Sequence, residues 1–447
     1  MKIFFSAGEP SGDQHAAHLI GELRRLRPDV ECTGYGGPLM ERAGCRLDHR
    51  LTDLAVMGFL RVVPLLRTFY RLVRQAGRRF AESPPDAVVL VDFPGFNWWI
   101  ARKAKAAGIP VFYYLPPQLW AWAGWRVKRV RRYVDHVLCG LPFEPDWYAK
   151  RGVRAEYVGH PFFDEVADSP LDAEFVRQWS PTGHVGGACR VGCAHQGETP
   201  SHGSDGGHSP LDSSQRTIGI LPGSRRHEVE HNWPTMIEVM RRLALRHPDV
   251  RFLVACYKPE FERRCRELLA NCRAECHAVL PSGGGSGTPT DAGRSGTPSC
   301  EPGTLPVHFF VGRTPEIIEA AECCLMVSGS VSLEMLARET PAAVLYHVAP
   351  ALYPLLRLLV HVDSITLPNL IAGRRVLPEW VVALSRRRAI DECTATLDRW
   401  LSDSSELARV RNELASLRNE FGRVGATVRT AEYILNHSPV ARLRRAA

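Results

Sequence analysis

The chain has 447 residues, of which 45% are hydrophobic and 23% charged, and its 56 Lys+Arg against 48 Asp+Glu leave a formal net charge of +8. That length exceeds what a single hydrophobic core organises, so two domains are expected. The charge surplus favours an anionic partner without a nucleic-acid-binding module to go with it, and no run of about 18 uncharged apolar residues offers a spanning helix.

The opening MKIFFSAGEPSGD has a short apolar run that turns polar at Ser6 and lacks the h-region and cleavage site of a signal peptide. It reads as the first strand of a cytoplasmic protein, Ile3 to Ser6, followed by a helix from Gln14 to Leu26 with Leu19, Ile20 and Leu23 at helical spacing. Ala87 to Val91 and Val111 to Tyr114 are uninterrupted apolar runs, the pattern of parallel strands buried on both faces, and Trp98 to Ala107 can supply the crossover helix. After Arg216 a second α/β series begins: a strand, a Gly-containing turn, a helix from about Glu228 to Arg246, and strands at Phe252–Cys256, His308–Val311, Cys324–Val327 and Ala343–Tyr346. From about Ile390 the pattern is helical.

Two segments interrupt the rhythm, roughly Ser180 to Arg216 and Pro281 to Pro306; both are rich in Gly, Ser, Thr and Pro and read as loops or linkers. The expected organisation is therefore an N-terminal Rossmann-like domain over 1–179, a linker over 180–216, a C-terminal Rossmann-like domain over 217–385 carrying the insertion 281–306, and C-terminal helices over 386–447 packing back on the first domain. The fold class is α/β, two doubly wound domains facing a cleft in the GT-B manner. Thirteen cysteines without a CxxC pair suit a reduced compartment, and His184, Cys189, Cys193 and His195 are the nearest thing to a metal cluster. They lie in low-complexity sequence that lacks the supporting shell of a site, so no metal and no cofactor are expected.

Candidate chemistry sits where strands end. Ser6 to Asp13 follows the first strand: its two glycines, Gly8 and Gly12, let backbone approach a ligand at a helix N-terminus, Ser11 and Gly12 are the candidate contacts, and Glu9 and Asp13 would repel a pyrophosphate and suit sugar hydroxyls instead. Asp13 can equally favour the start of the helix. Asp92 closes the strand of VDFPGFN, where burial tunes a carboxylate toward general-base work, with Asn97 close behind; a turn cap is the plainer alternative. In YYLPPQLWAW the rings beside Gln118 can bind a sugar or an acyl chain or form core, and the run Arg126 to Arg132 follows with the character of an anionic-lipid contact or of a solvated face. Gly223, Ser224 and Arg225 make a strand-to-helix turn with the donors and charge to hold a diphosphate, without the Lys and spacing of a Walker loop. Ser328, Gly329 and Ser330 suit phosphate, and Glu334 one turn on suits ribose hydroxyls. Asn369 and Glu379 are polar points in an apolar region.

AGEPSGD, VDFPGFN, YYLPPQLWAW, VGHP at 158–161, LPGSRRHEVE, SGSVSLE and LPNLIAGRRVLPE occur in the order found in the lipid-A-disaccharide synthases, and over most of its length the chain resembles that family. Its departures are the two low-complexity segments and the Pro-Pro of the aromatic motif. The resemblance implies an inverting glycosyltransferase that moves 2,3-diacylglucosamine from UDP-2,3-diacylglucosamine to the 6-hydroxyl of 2,3-diacylglucosamine 1-phosphate, giving a β-1,6 disaccharide and UDP. It implies Asp92 as the base, with Glu9 and Asp13 as carboxylates able to share or replace that role. Arg225 would stabilise the diphosphate, Ser328 to Ser330 contact phosphate, Glu334 bind ribose, and Gln118, Asn97, Asn369 and Glu379 line the site. Partners implied are the two lipid substrates and the anionic inner-membrane surface, with no nucleic acid and with a homodimer left open. The rival readings are a related UDP-sugar enzyme, such as a 2-epimerase or a transferase acting on another lipid-linked acceptor, and a noncatalytic nucleotide-binding protein of the membrane surface.

Overall fold

The computed structural model describes residues 1–54, 65–181, 215–278, 305–351, 353–360, 362–383 and 385–438. The low-complexity segments, apart from their end residues, and the His184, Cys189, Cys193 and His195 group lie outside the described residues. Thirteen strands are assigned among these: β1 Lys2–Ala7, β2 Glu31–Gly36, β3 Arg46–Arg50, β4 Ala87–Val91, β5 Val111–Tyr114, β6 His136–Cys139 and β7 Ala155–Tyr157, then β8 Arg216–Leu221, β9 Val250–Cys256, β10 Val307–Val311, β11 Cys323–Met326, β12 Ala342–His347 and β13 Glu379–Val382.

They form two parallel sheets, ordered β3-β2-β1-β4-β5-β6-β7 and β10-β9-β8-β11-β12-β13. Each sheet begins in its middle, grows outward to one edge, and then returns to the other side of its first strand. The order therefore reverses between β1 and β4 in one sheet and between β8 and β11 in the other, and in doubly wound sheets ligands bind at the strand C-termini beside such a reversal.

Alternation along the strands explains why helices cover both faces of the first sheet. Phe4, Val88 and Leu90 point to one face, where helices Leu66–Glu82, Pro94–Ala106 and Val127–Tyr133 add Leu72, Phe80, Ile100 and Val130. Ile3, Phe5, Val89 and Val91 point to the other, against Leu19, Ile20 and Leu23 of helix Pro10–Leu26 and Ile434 of helix Ala426–His437. Each of these side chains is at most 2% exposed, and full burial of an aliphatic or aromatic side chain is worth about 1.5–3 kcal/mol.

The chain divides into two compact units, Met1–Asp168 with Leu356–Asp363 and Asn419–Ala447, and Ser169–Leu355 with Ser364–Arg418. The first boundary thus falls at 168 rather than the expected 179. Helix Ala173–Trp179 packs with the second unit, because the Phe175 and Trp179 rings lie 4.9 and 5.4 Å from Phe310 of β10. Of the C-terminal helices only the last belongs wholly to the first unit. Asp164 caps it by accepting from the backbone N–H of Gly425 at 2.6 Å and Thr427 at 2.9 Å. Helix Arg386–Ser402 instead packs with the second unit.

Candidate active site

In the first unit, Ala7 pairs with Val91 and Val91 with Tyr114, so the segments starting at Gly8, Asp92 and Leu115 leave the sheet side by side. Asp92 and Phe93 both adopt left-handed backbone, with φ of 44° and 47°. Left-handed geometry costs a non-glycine residue on the order of 1–2 kcal/mol, so surrounding contacts must hold it. They do. The Asn97 amide donates to the carbonyl oxygens of Asp92 at 2.7 Å, Ser6 at 3.2 Å and Val91 at 3.3 Å, and its Oδ1 accepts from Ser6 Oγ at 2.7 Å. The Tyr113 hydroxyl donates to the Asp92 carbonyl at 2.9 Å. The Phe93 ring fills the space beside Gly8, where an added Cβ would lie 2.1 Å from Phe93 Cδ1.

The backbone of Asp92 is therefore clamped while its side chain stays partly buried at the strand end. Burial pushes its carboxyl above the usual range, opposed by the Phe93 N–H and by the charge of His15. A carboxylate made more basic in this way is suited to accept a proton from a hydroxyl.

Several residues read as ligand contacts have their polar atoms engaged inside the protein. Asn97 is fully buried and is the clamp just described. Asp13, 2% exposed, accepts from the backbone N–H of Gly37 at 2.8 Å, Leu39 at 3.0 Å and Met40 at 3.1 Å, capping helix Pro38–Arg42. Both its oxygens are engaged, which corrects its reading as a base; it also stands in the first turn of its own helix, where an acidic side chain favours the helix start. Gly12 packs on β4, where an added Cβ would meet the Val91 carbonyl oxygen at 3.7 Å. Glu9 is half-buried at the N-cap of helix Pro10–Leu26, and Ser11 and Gln118 are exposed.

In the second unit, Leu221 pairs with Met326, so Gly223–Arg225 and Ser328–Ser330 emerge together at the reversal point. Gly223 has φ +126°, and an added Cβ would meet Glu228 Cβ at 2.5 Å. Glu228, marked in the sequence only as the start of a helix, shapes this turn: its Oε2 accepts from the N–H of Ser224 at 2.9 Å and of Arg225 at 3.2 Å, and its Oε1 pairs with the Arg225 guanidinium at 3.0 Å. Arg225 itself is half exposed, at 51% of its side chain. Gly329 and Ser330 are exposed as well, while Ser328 Oγ donates to the Ile365 carbonyl at 2.6 Å.

Glu379 and Asn369 stand behind that contact. Glu379 accepts from the N–H of Ile365 at 2.7 Å and from Thr366 Oγ1 at 2.6 Å, and the Asn369 amide reaches both Glu379 and the Leu377 carbonyl. Asn369 Oδ1 accepts from the N–H of Val376 and Leu377, each at 2.8 Å. With Asn369 1% exposed, the pair braces the loop against Ser328, which corrects its reading as a ligand contact. Glu334 is buried, and its Oε1 accepts from Arg338 Nε at 3.0 Å.

The aromatic segment divides as well. Trp120 is core, 8% exposed, and donates to Glu144 at 2.9 Å, whereas Trp122 and Trp125 are 51% and 64% exposed with the Arg126 guanidinium 4.8 and 5.3 Å from their rings. No helix among the described residues is long and apolar enough to cross a membrane.

The family model "Lipid-A-disaccharide synthetase" matches residues 3–180 and 299–419, more than half of the chain. Over 97% of both chains the sequence is 34% identical to a lipid-A-disaccharide synthase of Anaeromyxobacter dehalogenans (strain 2CP-C), and over 99% of both it is 32% identical to one of Myxococcus xanthus. Among solved structures it resembles the UDP-GlcNAc 2-epimerase of Neisseria meningitidis, with a TM-score of 0.57 at 12% identity over 98% of this chain and 100% of that one. It also resembles Acinetobacter baumannii MurG, with a TM-score of 0.51 at 11% identity over 97% and 99%. These two likenesses are of fold, the GT-B-like pair of Rossmann units, and the sequence relatives decide among proteins that share it. The chain belongs to the lipid-A-disaccharide synthase family and is a glycosyltransferase of that kind.

Proposed function

We propose that this enzyme transfers 2,3-diacylglucosamine from UDP-2,3-diacylglucosamine to the 6-hydroxyl of 2,3-diacylglucosamine 1-phosphate, with Asp92 accepting the hydroxyl proton. The observation that carries the assignment of the base is the clamped, left-handed turn that holds a partly desolvated carboxylate at the β4 terminus. In one displacement the acceptor oxygen bonds to the anomeric carbon as the bond from that carbon to the diphosphate breaks. The configuration inverts, the proton goes to Asp92, and UDP leaves with the electron pair.

The second unit serves the leaving group. Arg225, aimed by Glu228, supplies a charge-assisted contact to the diphosphate, Ser330 and the Gly329 backbone add donors, and Glu334 receives the ribose hydroxyls. Glu9 stays as a carboxylate for sugar hydroxyls at the same edge as Asp92, and Ser11 and Gln118 are exposed there to contact the acceptor.

The acyl chains of both substrates require work at a membrane surface on the cytoplasmic side. Trp122 and Trp125 with Arg126, Arg129, Arg131 and Arg132 are the surface we assign to that contact, exposed rings supplying interfacial anchors and each cation about 1 kcal/mol near an anionic bilayer. The test of the base is Asp92→Asn, which keeps shape and removes proton acceptance. Turnover falls by a factor on the order of 10²–10⁴ while UDP binding persists. Normal turnover would move the role to Glu9.

A further inference from the structure

Glu334 stands in the first turn of helix Val331–Ala337, directly after the exposed Gly329 and Ser330. Its carboxylate is held by the residue that ends the same helix. Arg338, at the C-cap, lies four residues on, the spacing that puts two side chains on one face, and Cβ bonds tilt toward the helix N-terminus, back toward Glu334. Arg338 Nε donates to Glu334 Oε1 at 3.0 Å. The other arm of the guanidinium is tied to a second helix, Thr314–Ala320, where Nη1 donates to Glu319 Oε2 at 3.3 Å. Thr340, two residues past Arg338, donates from Oγ1 to the Ile318 carbonyl at 3.0 Å and fastens the chain to that helix as well.

Burial sets this pair apart from the ion pairs of the surface. The Arg338 side chain is 2% exposed and that of Glu334 9%. A guanidinium so deeply buried is costly unless its donors are paired, and its planar fork holds the two carboxylates at fixed positions. Glu334 needs the partner too. Burial raises its carboxyl above the usual range, Arg338 opposes that by its charge and its hydrogen bond, and the nearby Glu316 and Glu319 carboxylates add to the rise. With Oε1 engaged by Arg338, Oε2 takes no hydrogen bond from the described residues. An ionised carboxylate has about four lone-pair sites, so Oε2 and the remaining lone pair of Oε1 can accept from two neighbouring hydroxyls, the arrangement of a ribose diol. A protonated carboxyl would offer weaker acceptors and a competing O–H.

We propose that Arg338 is a positioning residue for the nucleoside of the donor: anchored on Glu319, it fixes the Glu334 carboxylate so that the oxygen left open accepts from the ribose hydroxyls. The inference rests on the reading of Glu334 as the ribose contact. Arg338 is buried and acts only through Glu334. Its removal leaves a buried carboxyl beside two other carboxylates, which takes up a proton or turns away, and either change weakens the grip on the diol while the diphosphate contacts at Arg225 and Ser330 stay as they were.

The test is the calorimetric affinity for UDP and for 2′,3′-dideoxyuridine diphosphate in wild type, Glu334→Gln, Arg338→Met and Arg338→Lys, with circular dichroism to confirm folding. Wild type is expected to prefer UDP by about ten- to a hundredfold, the range for hydrogen bonds to a charged group. Arg338→Met keeps the length and loses the charge, so its preference drops to about threefold or less through weaker UDP binding, with the dideoxy nucleotide bound as in wild type. Arg338→Lys falls between the two, because an ammonium restores the charge without the fork. A merely structural role would weaken both nucleotides alike. Equal weakening, or the full wild-type preference in Arg338→Met, overturns the inference. Absence of any preference in wild type, or its survival in Glu334→Gln, would instead remove the reading of Glu334 itself. Should Arg338→Met not fold, Arg338→Lys decides alone, and a preference equal to that of wild type overturns the inference.

Discussion

Glu144→Gln probes a buried carboxyl beneath the aromatic motif, and its effect can be worked from the geometry. Glu144 is 3% exposed; Oε1 accepts from Trp120 Nε1 at 2.9 Å and Oε2 from the Leu141 N–H at 3.0 Å. Burial pushes its carboxyl from 4.5 to about 7, against the opposing pull of those hydrogen bonds. A carboxyl raised in the folded state favours folding fully below its unfolded value, and that contribution is lost as pH rises from about 4.5 through about 7. At about 1.4 kcal/mol per pH unit the loss is on the order of 3 kcal/mol. Gln does not titrate, and it replaces one acceptor with an NH₂ group facing an N–H, at a cost of about 1–3 kcal/mol. The variant is thus less stable than wild type near pH 4.5, and the gap closes or reverses toward pH 8. Urea unfolding followed by Trp fluorescence at a series of pH values reads this as a difference between proteins, in which other titrations cancel. A constant difference across the range would refute a protonated, buried Glu144.

Three further outcomes follow. Gly8→Ala sets a Cβ 2.1 Å from the Phe93 ring and disturbs the turn behind it, so kcat falls at least about tenfold with a smaller change in thermal midpoint; an unchanged kcat would show that the Asp92 turn tolerates displacement. Arg225→Ala weakens UDP binding, measured by calorimetry, by about 1.5–3 kcal/mol, and unchanged affinity would show that the guanidinium does not meet the diphosphate. Changing Arg129, Arg131 and Arg132 together to Ser lowers co-sedimentation with anionic vesicles at low salt, and equal binding by both proteins would rule out this surface as the membrane contact.

The strands that carry the site were legible because they are buried on both faces: AVVLV and VFYY are uninterrupted apolar runs, and β1, β4 and β5 lie where those runs predict, to within a residue or two. β3, RLDHR, and β7, AEY, escape that pattern because they form the two edges of the sheet and are half exposed, so no apolar run marks them. The glycine-containing turns after β1 and β8 were legible as candidate sites, whereas the strand order that puts them beside the reversals appears only in the folded sheets. Which polar residue faces a ligand was less legible. Asp13, Asn97, Asn369 and Glu379 carry the same groups as binding residues, yet each satisfies backbone N–H or C=O groups that only the folded chain brings to it. The pairing of His15 with Glu165 joins helices 150 residues apart and has no local signature, although VGHP placed His160 in a motif.

The central claim is tested most directly by incubating wild type and Asp92→Asn with UDP-2,3-diacylglucosamine and 2,3-diacylglucosamine 1-phosphate, and resolving the products by mass spectrometry with UDP measured in parallel. Wild type is expected to yield a β-1,6-linked disaccharide 1-phosphate and one UDP per disaccharide, and Asp92→Asn neither, although that variant still binds UDP. An epimerised UDP-sugar with no disaccharide from folded wild type, or normal disaccharide formation by Asp92→Asn, would contradict it.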